Sequence, residues 1–263
     1  KNGVAEIANN FIKTPIFVEE SDPPLVSLNK VIDNSKIDLP AILPPPSAGL
    51  FGYIGYDMVQ YFEKINIKND DTLSLPETIL MRPSIVCIFD RLKDEFILIT
   101  PIRYIESLSA KEAWIIANKR IKDAINALNI GLPHSNLPVQ NNKPKENKAA
   151  SNLSKESYFR GVNSAKKYIK AGDIYQVVLS QRFIVDFKKS SIAFYRSLRR
   201  LNPSPFLFHF NFDNFKVVGS SPEILVRVRN NECTIRPIAG TRPRGKNIEE
   251  DNKLSDELLN DPK

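Results

Sequence analysis

The sequence predicts an α+β fold, with antiparallel β-sheet layers flanked by helices, and three observations carry that prediction. Strand-like runs follow one another across tight turns at 84–100 and 206–237. Helical stripes interrupt them at 110–128, 158–169 and 192–201. Successive hairpins form an antiparallel meander with helices inserted between strands, which is a layered α+β arrangement.

Residues 1–40 supply short strand-like pieces such as Ile16-Phe17-Val18, then a helix over Leu25 to Asp33. Pro44, Pro45 and Pro46 stiffen the backbone before a run that mixes aromatics with Gly49, Gly52 and Gly55. Glycines inside a strand mark close approach by another backbone or ring. The run lacks the lysine and hydroxyl of a phosphate loop, so packing is the preferred reading. Ser84 to Phe89 and Glu95 to Thr100 read as a hairpin turning at 90–94. Ala113, Ile116, Ala117, Ile121, Ile125 and Leu128 make one helical stripe, with Trp114 packing beside it.

The stretch 133–153 turns polar and low in complexity, and reads as a linker or surface loop between an N-terminal portion, 1–132, and a second portion, 154–263. His134 inside it reads as solvated. Tyr158, Val162, Ala165 and Ile169 then mark a helix that Gly172 stops. Ile174 to Phe187 alternates like one long strand, with Gln176, Ser180 and Arg182 on its polar side. A helix over Ile192 to Leu201 ends at Asn202-Pro203-Ser204-Pro205. Phe206, Phe208, Phe210 and Phe212 share a strand face, and His209 reads as structural. Gly219 to Glu223 is expected to interrupt the next strand, and Ile224 to Pro237 to form a hairpin around Asn230-Asn231.

The 263 residues suffice for one large domain or two modest ones. With 42% apolar and 25% charged residues, gross disorder is excluded. The net charge of +7 comes largely from scattered lysines, without a basic-aromatic nucleic-acid module. Cys87 and Cys233 make neither a disulfide framework nor a metal spacing, which points to a reducing, cytoplasmic setting. No run is long and apolar enough for a membrane span. The chain starts without methionine and stops inside a helical pattern, so it is expected to be an internal fragment.

Arg236 to Gly245, reading RPIAGTRPRG, gathers three arginines and Thr241 around Gly240. Arginine forks suit carboxylates, and a glycine lets backbone approach a ligand. The stretch therefore reads as an anion grip, with a basic surface turn as the bland alternative.

This loop, Gln176 after Ala171-Gly172-Asp173, Glu223 in GSSPE, NPSPF at 202–206 and GYIGYD at 52–57 together resemble the chorismate-utilising enzymes. Within that family they are most similar to the large subunits of anthranilate synthases. The resemblance implies an incomplete copy of that fold. It also implies a reaction of chorismate with ammonia giving anthranilate and pyruvate in tryptophan biosynthesis. By the same likeness, Glu223 matches the general acid for the departing ring hydroxyl. Gly240 and Thr241 match substrate contacts, and Pro205, Phe206 and Leu207 match the segment holding tryptophan, the feedback inhibitor. Phenylalanine stands at 206 where tyrosine is common.

Two positions discriminate among relatives. Gln176 replaces the lysine base of the water-adding enzymes, and an amide cannot titrate. Ala239 replaces the nucleophilic lysine of aminodeoxychorismate synthases. The resemblance further implies a glutamine amidotransferase partner and Mg2+ as Lewis acid and template. No metal ligand is assigned in this chain, since the implied ones belong beyond Lys263. The chain alone is therefore expected to lack synthase activity. Aminodeoxychorismate synthase and a basic nucleic-acid-binding protein stand as the alternative readings.

Overall fold

The computed structural model describes residues 2–8, 15–65, 67, 70–131, 148–236 and 240–261. They divide between two compact units, one within Lys1–Leu137 and one within Pro138–Lys263.

The first unit opens with an antiparallel pair, β1 (Glu6–Ile7) and β2 (Val18–Glu19). The strand-like piece expected at 16–18 thus enters a ladder only at Val18. Helix α1 (Pro24–Asp33) begins with proline at its first position, where the missing N–H would have no helical partner anyway. Strands β3 (Phe51–Ile54) and β4 (Thr78–Met81) pair in register Phe51↔Met81 to Ile54↔Thr78. A Cβ on Gly52 would overlap the Ile79 carbonyl oxygen. The glycines of GYIGYD therefore serve close strand packing, as expected.

Strands β5 (Val86–Asp90) and β6 (Glu95–Ile99) form the expected hairpin. Asp90 Oδ1 closes its turn by accepting the N–H groups of Leu92 (2.9 Å) and Lys93 (3.2 Å). Helix α2 (Ala110–Asn129) starts with a capping box. Ser109 and Glu112 exchange side-chain and backbone bonds, Ser109 N–H donating to Glu112 Oε2 at 2.9 Å.

In the second unit β7 (Ala150–Ser151) comes first, inside the stretch expected as a linker; residues 133–147 of that stretch, with His134, lie outside the described residues. Helix α3 (Lys155–Ala171) ends as predicted at Gly172, whose φ of 81° is left-handed. Gly172 N–H donates to the Ile169 carbonyl and Asp173 N–H to the Tyr168 carbonyl, which satisfies the last turn.

The long strand expected over 174–187 is not there. Only β8 (Phe183–Ile184) is a strand, paired with β7 as Ser151↔Phe183 and Ala150↔Ile184. Alternation sorts side chains between faces but does not supply a neighbouring edge to bond. Among the described residues, 174–182 lie on no strand edge, and Tyr175 is 95% exposed.

Helix α4 (Ser191–Leu201) follows, capped by Ser190. Strands β9 (Phe206–Asn211) and β10 (Lys216–Ser221) then pair along six positions, from Lys216↔Asn211 to Ser221↔Phe206. Here the structure corrects a second expectation: Gly219, Ser220 and Ser221 continue the strand rather than interrupt it. A Cβ on Gly219 would overlap the Phe208 ring, so the glycine makes room for that ring. The phenylalanine face is a real stack: Phe208–Phe210, Phe210–Phe212 and Phe212–Phe215 centroids lie 5.5, 5.7 and 5.3 Å apart. Strands β11 (Arg227–Arg229) and β12 (Glu232–Thr234) turn through Asn230 and Asn231, both at positive φ, as expected. Helix α5 (Ile248–Leu259) ends the order.

The antiparallel α+β character is as the sequence predicts, but the described strands join only two at a time, in six separate ladders. Packing is correspondingly thin. Met58, Ala117, Ala165 and Pro101 are the buried apolar residues among those described. Ser27, Ser35 and Ser47 are buried as well.

Candidate active site

The site residues named from the sequence all fall in the second unit, on three of its segments. The β9/β10 ladder holds two of the groups together. Pro205, Phe206 and Leu207 lead into β9, and Phe206 sits opposite Ser221, two residues before Glu223. Ser221 Oγ fixes the turn that follows, donating to the Glu223 carbonyl at 2.9 Å and accepting the Glu223 N–H at 3.3 Å. Such serine turns form where a hydroxyl can reach backbone two residues on. The backbone of Glu223 is held while its side chain is exposed. A carboxyl so mounted can meet a ligand and exchange a proton with it.

Gly240 and Thr241 lie on a loop drawn onto α5. Leu258 Cδ1 would stand 3.0 Å from a Cβ at Gly240. Arg242 Nη2 bonds Asp261 Oδ2 at 2.7 Å, and Arg244 Nη2 bonds Asp251 Oδ2 at 2.6 Å. The Gly245 N–H adds a bond of 2.7 Å to Asp251 Oδ1. The anion grip expected of these arginines is thus corrected for two of them. Arg244 binds a carboxylate in the first turn of α5, and Arg242 binds Asp261, two residues past the end of that helix. Pro237, Ile238 and the discriminating Ala239 lie outside the described residues.

Gln176 stands in the irregular segment after α3, exposed. No hydrogen bond or ion pair among the described residues links Gln176, Glu223 and Thr241 to one another. His209 is structural, as expected: its Nε2 lies 2.9 Å from Ser191 Oγ, and its ring lies against Tyr195.

Sequence reasoning passed over the hydroxyls of Ser204 and Ser221. Their signal was the Ser-Pro pairing in both NPSP and SSPE, since a serine beside a proline favours local turn bonds.

In the first unit a cavity of about 600 Å³ opens beside Tyr56, Asp57, Gln60, Tyr61 and Glu77, and no named site residue lines it. Burial, and after it the Glu77 carboxylate, pushes the Tyr61 hydroxyl up. Among the described residues no three His, Cys, Asp or Glu side chains gather as a metal site. The described residues therefore do not fit the implied magnesium ion.

The sequence matches the family model of chorismate binding enzymes over residues 18–263. The chain belongs to the chorismate binding enzyme family. It is 48% identical over 240 residues to anthranilate synthase component 1 of Cereibacter sphaeroides, covering 91% of this chain and 48% of that protein. It is 38% identical over 250 residues to anthranilate synthase component 1 of Aquifex aeolicus, covering 94% of this chain and 49% of the relative. The crystal structure of anthranilate synthase component I from Streptococcus pneumoniae superposes with a TM-score of 0.76 at 27% identity. That superposition covers 98% of this chain and 57% of the other. The chain thus spans about half the length of the curated relatives it matches. No helix among the described residues is long and apolar enough to cross a membrane.

Proposed function

We propose that this chain is part of the large subunit of an anthranilate synthase, and that it forms one wall of the chorismate site. The carrying observation is the mounting of Glu223, with its backbone clasped by Ser221 at the end of a six-pair ladder and its carboxyl exposed. The likeness to relatives named anthranilate synthase component 1 gives that carboxyl its task.

In the reaction ammonia forms a C–N bond to the chorismate ring, and the ring hydroxyl departs. Hydroxide is a poor leaving group, so Glu223 delivers a proton and water leaves instead. Loss of the enolpyruvyl group as pyruvate and of a ring proton then gives the aromatic product. The Gly240 N–H and the Thr241 hydroxyl bond a substrate oxygen, and hydrogen bonds to charged groups are worth roughly 1.5–3 kcal/mol. Gln176 can hold a neutral nucleophile but cannot take a proton from water, which favours ammonia. Pro205, Phe206 and Leu207 hold tryptophan as feedback inhibitor. A glutamine amidotransferase subunit supplies the ammonia, and magnesium is bound by residues outside this chain. Cys87 and Cys233 are free thiols, in keeping with the cytoplasm as the working compartment.

The test uses the full-length protein with chorismate, ammonia and magnesium, following anthranilate by its fluorescence. Glu223→Gln is expected to lower kcat by about 10²- to 10⁴-fold with little change in KM. A para-aminobenzoate product, or wild-type turnover in Glu223→Gln, would overturn the reading.

A further inference from the structure

Two serine hydroxyls that the proposed chemistry leaves unused join the 202–207 segment to the Glu223 turn. Ser204 Oγ donates to the Ser221 carbonyl at 2.6 Å, in a part-buried position. Beside it, Ser220 Oγ donates to the Asn202 carbonyl at 2.7 Å. Ser221 in turn grips both backbone groups of Glu223. The path from Ser204 through Ser221 to Glu223 is therefore hydrogen-bonded at each step. It is also backed by the pairing of Phe206 with Ser221 and Leu207 with Ser220. Ser204 immediately precedes Pro205, and Ser221 immediately precedes Pro222, so at both places the ring restricts how the backbone can yield.

A general acid works only within hydrogen-bond reach of the oxygen it protonates, and a misplacement near 1 Å costs about 100-fold in rate. Because Ser204 is bonded to the Ser221 carbonyl and Ser221 to the Glu223 backbone, a displacement of the segment at 205–207 would reach the peptide that carries Glu223. We propose that Ser221 and Ser204 are positioning residues for Glu223, and that their two hydroxyls convey effector binding at 205–207 to the reacting carboxyl. This rests on the reading above, in which Glu223 is the acid and 205–207 the effector segment. Neither serine touches substrate; both act through the Glu223 backbone.

The experiment uses the full-length protein, with ammonia as nitrogen source and tryptophan as the probe. Ser221→Ala is expected to lower kcat at least tenfold with KM within about twofold, and Ser221→Thr, which keeps the hydroxyl, to recover most of it. Ser204→Ala is expected to bind tryptophan in calorimetry within about threefold of wild type. In that variant the ratio of kcat/KM without to with saturating tryptophan should shrink at least fivefold, a loss of coupling rather than of binding. Undiminished turnover in Ser221→Ala, or undiminished inhibition in Ser204→Ala, overturns the proposal while Glu223→Gln remains inactive. Wild-type turnover in Glu223→Gln, or a wild type that binds no tryptophan, removes the underlying reading and this proposal with it. Calorimetric tryptophan binding by each variant, together with the Thr rescue, separates these outcomes from misfolding.

Discussion

Each proposed site residue is assigned one chemical property, and Gln176 illustrates how narrow that property can be. An amide donates and accepts hydrogen bonds but does not titrate, so it can orient ammonia and cannot activate water. A lysine there restores a titratable amine. Gln176→Lys in the full-length protein is therefore expected to yield a hydroxylated product alongside anthranilate, detectable by chromatography of the reaction mixture. A product mixture without any water-derived species would go against the assignment. At this scale the motifs single out Glu223 and Gly240 in the sequence, and their roles are the ones proposed above. Ser204 and Ser221 were harder to read because a hydroxyl bonded to nearby backbone leaves no periodic trace. Arg242 and Arg244 were misread because a charge pattern does not say whether the partner is a ligand or the next helix.

Elements with strong end signals form where the sequence puts them. Helices α2 and α3 carry their signals in Ser109 with Glu112 and in Gly172. The hydrogen bond from the Ser109 hydroxyl, then that from its N–H, holds the Glu112 carboxyl below the ordinary carboxylate value. A carboxyl with a depressed folded pKa stabilises above its unfolded pKa of about 4.3, and that contribution is lost as pH falls through the folded value. Helical circular dichroism should therefore fall over about pH 5 to 3 by less in Ser109→Ala than in the wild type. Equal acid sensitivity in the two proteins would contradict the capping box. Strand pairing can be probed at Gly52, whose missing Cβ leaves room for the Ile79 carbonyl. Gly52→Ala is expected to destabilise the first unit by about 1–3 kcal/mol, read as a lowered urea midpoint. An unchanged midpoint would mean that β3 and β4 are not so closely set. The run at 174–187 marks where legibility ends: its alternation is genuine, yet a strand needs a partner edge and the alternation encodes only faces.

At the scale of the molecule, the two-stranded ladders and few buried side chains among the described residues leave large apolar groups in contact with water. Leu225 and Leu201 are 90% and 84% exposed, and Phe206 at the start of β9 is exposed as well. Exposed apolar surface on this scale drives association. The 263-residue chain is expected to self-associate, with a sedimentation-derived mass that rises with concentration and strong binding of a hydrophobic dye. A monomer of constant mass that binds no dye would refute this. The α+β character was legible because hairpin and helix signals are local. The sparse packing was not, because a hydrophobic pattern predicts which face seeks cover and says nothing about what covers it.

The two arginine clasps, one onto α5 and one just past its end, respond to ionic strength. Arg244–Asp251 and Arg242–Asp261 close a short ring inside a longer one, so opening either leaves the loop at 240–245 still tied by the other. They are unequal, since Arg244 is 89% exposed and Arg242 only 32%. Salt screens exposed pairs first. As salt rises the Arg244 pair loosens before the Arg242 pair, while the Gly245 N–H keeps its bond to Asp251, so the loop bearing Gly240 and Thr241 gains slack by degrees.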